Sequence, residues 1–312
     1  MSRELRQKRT ARRARLFSGL SYSRALQYAR DGLITSDRPL PDAVDTRQQA
    51  FEAAVLHALV EGFPDSRQVP QGFLGIAAVR PRPADLTLHL DPEVAPAVLA
   101  ALIPTYDHDY GGLRGAPGFR LRRRGRGCWQ AYSAAHPSST AVQIVAREEV
   151  LADAYQAIAD IDDGPQLGTG PGLTRAEQEE LDFRERLAWV GAGNLLLSRV
   201  LRRILLINLV GRSHGLVNLY CHHYAGLVFE WCCGPDVAWV AKELRDAGLL
   251  GDARTDTPEV ADIRRSGRPS YTLELSHEAY VTLRRNQALH GSYEQFGEPA
   301  PASPARNRAR GH

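Results

Sequence analysis

Apolar and polar positions change period several times along this chain, and each change marks an element. The clearest alternation is DLTLHL at residues 85–90, which puts Leu86, Leu88 and Leu90 on one face of a strand. FLGIAAV at residues 73–79 predicts the preceding strand, with the proline-containing RPRPA as the turn between them. Before the pair, Phe51, Val55, Leu56 and Leu59 recur at helical spacing, and Thr46 is placed to cap a helix to Gly62. After it, Asp91 and Pro92 predict the start of a helix running to about Ile103, with Pro96 still in its first turns. Residues 106–118 read as a glycine-rich loop. One strand is expected over residues 119–134, bent near Gly125, another over 140–147, and a helix over 148–161.

The order then repeats. Thr174 caps a helix with acids in its early turns, and the helical pattern continues, interrupted near residues 191–193, to Val210. Strand, tight turn, strand and helix occupy residues 215–244. Residues 260–264 and 270–275 read as strands, and 278–287 as a last helix. Without a gap, Gly72 aligns with Gly215, Pro92 with Pro235, and Val94-Ala95 with Val237-Ala238. The expected fold is therefore α+β: two similar α-β-β-α-β-β-α halves, each with an antiparallel sheet covered by helices, plus a basic helical N-terminal arm. The expected boundaries are residues 1–45 for the arm and a proline-containing linker, 46–161 for the first half, 162–173 for a linker, 174–290 for the second half and 291–312 for a disordered tail.

Composition changes this picture little. Hydrophobic residues make up 43% and charged residues 24%, enough for a globular core across 312 residues. The net charge of +3 does not by itself imply a polyanionic partner; its distribution is more telling. Residues 1–30 hold nine of the basic side chains against one acid, Glu4. Residues 3–17, RELRQKRTARRARLF, predict a helix ended by Gly19, and Ser21 is placed to cap a second over residues 22–30, with Leu20, Tyr22, Leu26 and Ala29 on an apolar face. No apolar run follows the basic opening as a secretory signal requires. The most apolar segment, residues 195–210, is interrupted by Arg199, Arg202 and Arg203, which suits a buried amphipathic helix and not a bilayer span. Four cysteines without a framework fit reduced thiols in a cytoplasm.

Three constellations could carry chemistry. The first is arginine: Arg3, Arg6, Lys8, Arg9, Arg12, Arg13 and Arg15 on the opening helix, and Arg120, Arg122 and Arg124 on one face of a strand, close to Trp129 and Tyr132. Guanidinium groups beside aromatic rings suit phosphate contacts and base stacking. A solvated edge strand would also carry such charges. The second is the 215–233 hairpin. With Ala225-Gly226 as a two-residue turn, Cys221, His223, Glu230 and Cys232 share a face, an arrangement open to zinc or to an activated thiol. The same residues also suit ordinary burial, and a one-residue slip would scatter them. The third is Asp107-His108-Asp109, most simply a solvated turn. The glycine-rich segments 111–118 and 164–172 lack the Lys-Ser/Thr ending of a phosphate loop. The expected function is a non-catalytic nucleic-acid-binding protein with no resident cofactor. The alternatives are a module docking an acidic protein surface, and a zinc or thiol centre on the hairpin.

Overall fold

The computed structural model describes residues 2–36, 38–62, 74–107, 112–161, 170–187, 190–205, 218–222, 226–231, 235–249, 270–276 and 279–285. The chain is mixed α+β, with eight helices among the described residues and sheets in which antiparallel pairs predominate.

Two short helices come first, α1 (Arg3–Ser18) and α2 (Tyr22–Arg30). Gly19 ends α1 in the left-handed region, at φ 68°, and the Ser21 side chain caps α2 by accepting from Arg24 N–H. The stretch is not a free arm. Ala11, Ala14 and Phe17 are fully buried, so α1 is docked along one stripe on the core. The next helix, α3 (Thr46–Gly62), is capped one residue earlier than expected. Asp45 Oδ1, not Thr46, accepts from the N–H groups of Arg47 (2.7 Å) and Gln48 (3.3 Å).

The first sheet holds β1 (Ile76–Pro81), β2 (Leu86–Leu90), β5 (Phe119–Gly125), β6 (Cys128–Ser133) and β7 (Val142–Val145), in the order β1-β2-β7-β6-β5. All neighbours are antiparallel except β2 and β7. Pro81 is tolerated because β1 is an edge. One face is sealed. Leu86, Leu88, Val142, Ile144, Ala131 and Phe119 are buried in one core with residues of α4 (Ala95–Leu102) and α5 (Val150–Ile161). The residue expected to open α4, Pro92, instead lies in a turn held by Asp91, whose carboxylate accepts from Glu93 N–H (2.9 Å). Pro96 sits in the helix's first turn. Within the expected 106–118 loop lies a small ribbon, β3 (Thr105–Asp107) with β4 (Gly112–Arg114). The expected bent strand over 119–134 is a hairpin, turned between β5 and β6.

The second half begins with α6 (Arg175–Glu185) and α7 (Val190–Arg202), separate helices where one interrupted pattern was expected. Its sheet holds β8 (Asn218–His222), β9 (Gly226–Trp231), β10 (Ser270–Ser276) and β11 (Ala279–Arg285), in the order β10-β11-β9-β8, with α8 (Val237–Asp246) between the two hairpins. β11 replaces the helix expected over 278–287: Ala279 to Leu283 alternates and packs as a strand, parallel to β9 and antiparallel to β10. The strand expected at 260–264, most of the 162–173 linker and the 291–312 tail lie outside the described residues.

Buried ions tie α7 to α3 and to the segment before α3. Glu52 of α3 accepts from Arg202 Nε (2.7 Å) and Nη2 (2.6 Å), from Ser198 Oγ (2.6 Å) and from Gln48 Nε2 (2.7 Å). Both Glu52 and Arg202 are fully buried. Arg199 and Arg203 bracket Asp42, at 3.0 Å and 2.8 Å. The arginines that interrupt the apolar stretch are thus its connections to α3 and to the segment before α3.

Candidate nucleic-acid interface

On α1 the side chains of Arg3, Arg6, Arg9, Arg12 and Arg15 are exposed. Lys8 pairs with Glu4 at 2.6 Å, and Arg13 is partly covered, ion-paired with Asp246 and set 6.0 Å from the Phe17 ring centroid. Leu5 and Leu16 are exposed on the same helix. The burial stripe of α1 therefore leaves most of its arginines on the solvent side, as a docked basic ridge.

The three strand arginines part company. Arg120 is buried and accounted for. Its guanidinium donates to both Glu177 oxygens (2.8 Å each) and to the carbonyls of Gly170, Gly172 and Phe119. Glu177 also accepts from Gly118 N–H and Thr174 N–H, closing a capping box at the start of α6. The segment entering the second half crosses β5 at this point, so Arg120 serves as a clamp and leaves the set of surface arginines. Arg122 and Arg124 remain exposed. Their Nε groups donate to the same acceptor, Gln130 Oε1, at 2.9 Å and 2.6 Å. The Arg122 guanidinium also lies 5.0 Å from the Tyr132 ring centroid. The terminal nitrogens of both arginines have no partner among the described residues. Arg123 points to the other face, where it pairs with Glu148.

Arg122 belongs to a row that crosses the whole sheet. Arg122 pairs with Gln130, Gln130 with Gln143, Gln143 with Thr87 and Thr87 with Arg80. These residues lie on the face opposite the sealed core. Arg80 is exposed, Thr87 and Gln143 are half-buried, and Gln130 is buried beneath the arginines it holds. No Asp or Glu occupies a strand position on this face. The alternation of Thr87 with Leu86 and Leu88, and of Gln143 with Val142 and Ile144, carried this information in the sequence. The register that lines these residues up did not.

The hairpin cluster does not assemble as expected. The observed pairing sets Cys221 opposite Leu227 and Asn218 opposite Glu230, a register shifted by an odd number of residues from the expected one. Cys221 and Glu230 therefore lie on opposite faces. Glu230 is 3.6 Å from Arg284, which donates to Tyr220 Oη (2.9 Å). Burial first, and then the Glu61 carboxylate, push the Cys221 thiol up to about 12, against a smaller opposing effect of Arg184. A thiol so held is a poor nucleophile near neutral pH. His223 and Cys232 lie outside the described residues, as do His108 and Asp109. Among the described residues, no three His, Cys, Asp or Glu side chains form a group suited to a metal ion. A cavity of about 110 Å³ between α3, α6 and α7 is lined by His57 and His136 with Phe51, Leu181 and Leu197, and by Ser133 at the end of β6. No helix among the described residues is long and apolar enough to cross a membrane. Comparison with family models, with curated proteins and with solved structures finds no match for the chain.

Proposed function

We propose that this chain is a non-catalytic nucleic-acid-binding protein, contacting phosphates with the exposed arginines of α1 and with Arg122 and Arg124. The observation that supports it most is the shared acceptor. Gln130 fixes two neighbouring guanidinium groups and leaves their terminal nitrogens for an outside ligand. Held this way, the pair loses little side-chain freedom on meeting a phosphate oxygen. Recognition would be largely independent of sequence and steeply sensitive to salt. Fluorescence anisotropy of labelled oligonucleotides across a salt series tests it. Arg122→Ala with Arg124→Ala should weaken binding and flatten the logarithmic salt slope by about 0.7–0.9 per lost phosphate contact. An unaltered slope, or no salt-dependent binding to any DNA or RNA, refutes the proposal. Because α1 is docked, its share of the binding is tested by charge-only changes such as Arg6→Gln, Arg9→Gln and Arg12→Gln, which leave its buried stripe in place.

A second reading, a module docking an acidic protein surface through α1, is favoured by Leu5 and Leu16, exposed among the arginines. We also infer that the two halves are copies of one unit. In each, the second strand of the first hairpin is followed by a helix and runs parallel to the last strand of its sheet, β2 to β7 and β9 to β11. A cytoplasmic setting accords with the two described cysteines, Cys128 and Cys221, both free thiols.

A further inference from the structure

We infer that the open face of the five-stranded sheet is a track for single-stranded nucleic acid, laid along the row Arg122, Gln130, Gln143, Thr87, Arg80. The inference rests on the nucleic-acid reading above and narrows it to one substrate class.

The row has arginines at its two ends and uncharged hydrogen-bonding groups inside. With strands about 4.8 Å apart, five strands make a path of about 19 Å between Arg122 and Arg80. Arg122 and Arg124 offer their terminal nitrogens at one end, and Arg80 is exposed at the other. Between them the amide nitrogen of Gln143 and the hydroxyl of Thr87 have no hydrogen-bond partner among the described residues. Beside the row, His89 Nε2 is buried and equally unpartnered. A buried polar atom left unmet costs free energy, which a ligand hydrogen bond would recover. The strand positions of this face hold no carboxylate to repel a polyanion. Glu177, beside Arg120 at one end of this face, is buried and ion-paired, and Asp85 sits in the β1–β2 turn beside Arg82, at 4.0 Å.

The shape selects single strands. A duplex major groove is about 12 Å wide, too narrow for a five-stranded face, and a duplex hides its pairing edges from a surface that stays outside. An unpaired strand presents base edges and backbone together. Glutamine and threonine side chains can bond the edges while arginines hold the phosphates at either end. The Arg122 guanidinium, stacked over Tyr132, is also a plane on which a base can lie. The basic ridge of α1 adjoins the far end of the track. Gly19, at the end of α1, comes so close to Ala78 of β1 that an added Cβ would lie 3.0 Å from the Ala78 Cβ.

The test measures anisotropy with the full chain and an oligonucleotide of about 12 residues, within the range such surfaces cover. It is offered as DNA single strand, RNA single strand and the matching DNA duplex. Single strands should bind about tenfold tighter than the duplex. Arg80→Ala and Gln143→Ala, each checked for unchanged thermal unfolding, should each weaken single-strand binding about fivefold and leave duplex binding alone. Gln143→Glu keeps the side-chain shape, adds a carboxylate and should weaken it further. A preference for RNA or for DNA supports the track and identifies its source, and equal binding supports a track that reads single strands of either kind. If duplex binds as tightly as single strand, or Arg80 and Gln143 prove indifferent, the track is wrong while the phosphate-binding proposal stands. If no nucleic acid binds, both fall.

Discussion

Arg120 and Arg122 stand two residues apart on β5 and face the same way, yet they do different work. Arg120→Ala leaves the fully buried Glu177 carboxylate without its guanidinium, so it should cost about 3–5 kcal/mol in urea denaturation. Arg122→Ala removes an exposed side chain and should fall within about 0.5 kcal/mol of the parent. The same clamp fixes an acid response. Burial raises the Glu177 carboxyl, but the hydrogen bonds from Arg120, Thr174 and Gly118 and the charge of Arg120 outweigh it, and its pKa lies below the ordinary 4.5. A carboxyl depressed by folding stabilises fully above its unfolded value, and that stabilisation drains away as pH falls through the folded one. The parent should therefore lose more stability between pH 6 and pH 3 than Glu177→Gln, measured by denaturant midpoints in the two buffers; equal losses would show that the clamp does not titrate. Alternation in the sequence correctly gave Arg120 and Arg122 a common face. It could not show that a segment some fifty residues later crosses only one of them, because that contact is set by tertiary packing.

Elements with an unambiguous period were legible, while those whose register depends on a distant neighbour were not. The Leu86-Leu88-Leu90 strand and the caps at Ser21 and Thr174 stand where the sequence put them. β11 reads as a helix because Ala, Leu and Arg favour helices, and only pairing with β9 and β10 makes it a strand. The β8–β9 register was misjudged because several turns suit the same residues, and an odd shift changes which side chains meet. The consequence for Cys221 is measurable. With its thiol raised to about 12, it should resist iodoacetamide at pH 8 in the native protein and react on denaturation, followed by peptide mass spectrometry. Rapid native labelling would place the thiol in another environment. The glycines that follow α1 and α2 offer a second measurement. Gly19 and Gly32 both have positive φ, but a Cβ on Gly19 would meet Leu205 at 2.8 Å, whereas Gly32 has nothing within 4 Å. Gly32→Ala should cost about 1 kcal/mol from backbone strain alone. Gly19→Ala should cost more, read as a lower thermal midpoint, and equal losses would mean that α1 is not pressed against β1 as described.

At the scale of the molecule, one apolar core runs through both sheets, and arginines of α7 cross it to reach α3 and the segment before α3. Arg202 reaches Glu52 on α3 and also donates to the carbonyls of Pro41 and Arg82, so one side chain ties α7, α3 and the β1–β2 turn. Arg203 donates to Leu40 and Ala247, joining the segment before α3 to the end of α8. A buried guanidinium is tolerable only while its carboxylate is present, and that makes the junction conditional. Glu52→Leu strands Arg202 without an ionic partner and should cost about 3–5 kcal/mol. Glu52→Leu with Arg202→Met removes both charges and should recover much of that loss, since an apolar pair of similar volume is often no worse than an ion pair. Cooperativity reports the coupling separately from the energy. Trp129 lies in the first sheet and Trp231 in the second, so tryptophan fluorescence follows both halves while far-ultraviolet circular dichroism follows all elements. In the parent the two transitions should coincide, as one cooperative unit requires. In Glu52→Leu the curves should separate, because the half that lost its anchor can open before the other. Coincident curves in the variant, or a loss under about 1 kcal/mol, would shift the coupling to the Arg120–Glu177 clamp, which joins the halves on the far side of the first sheet.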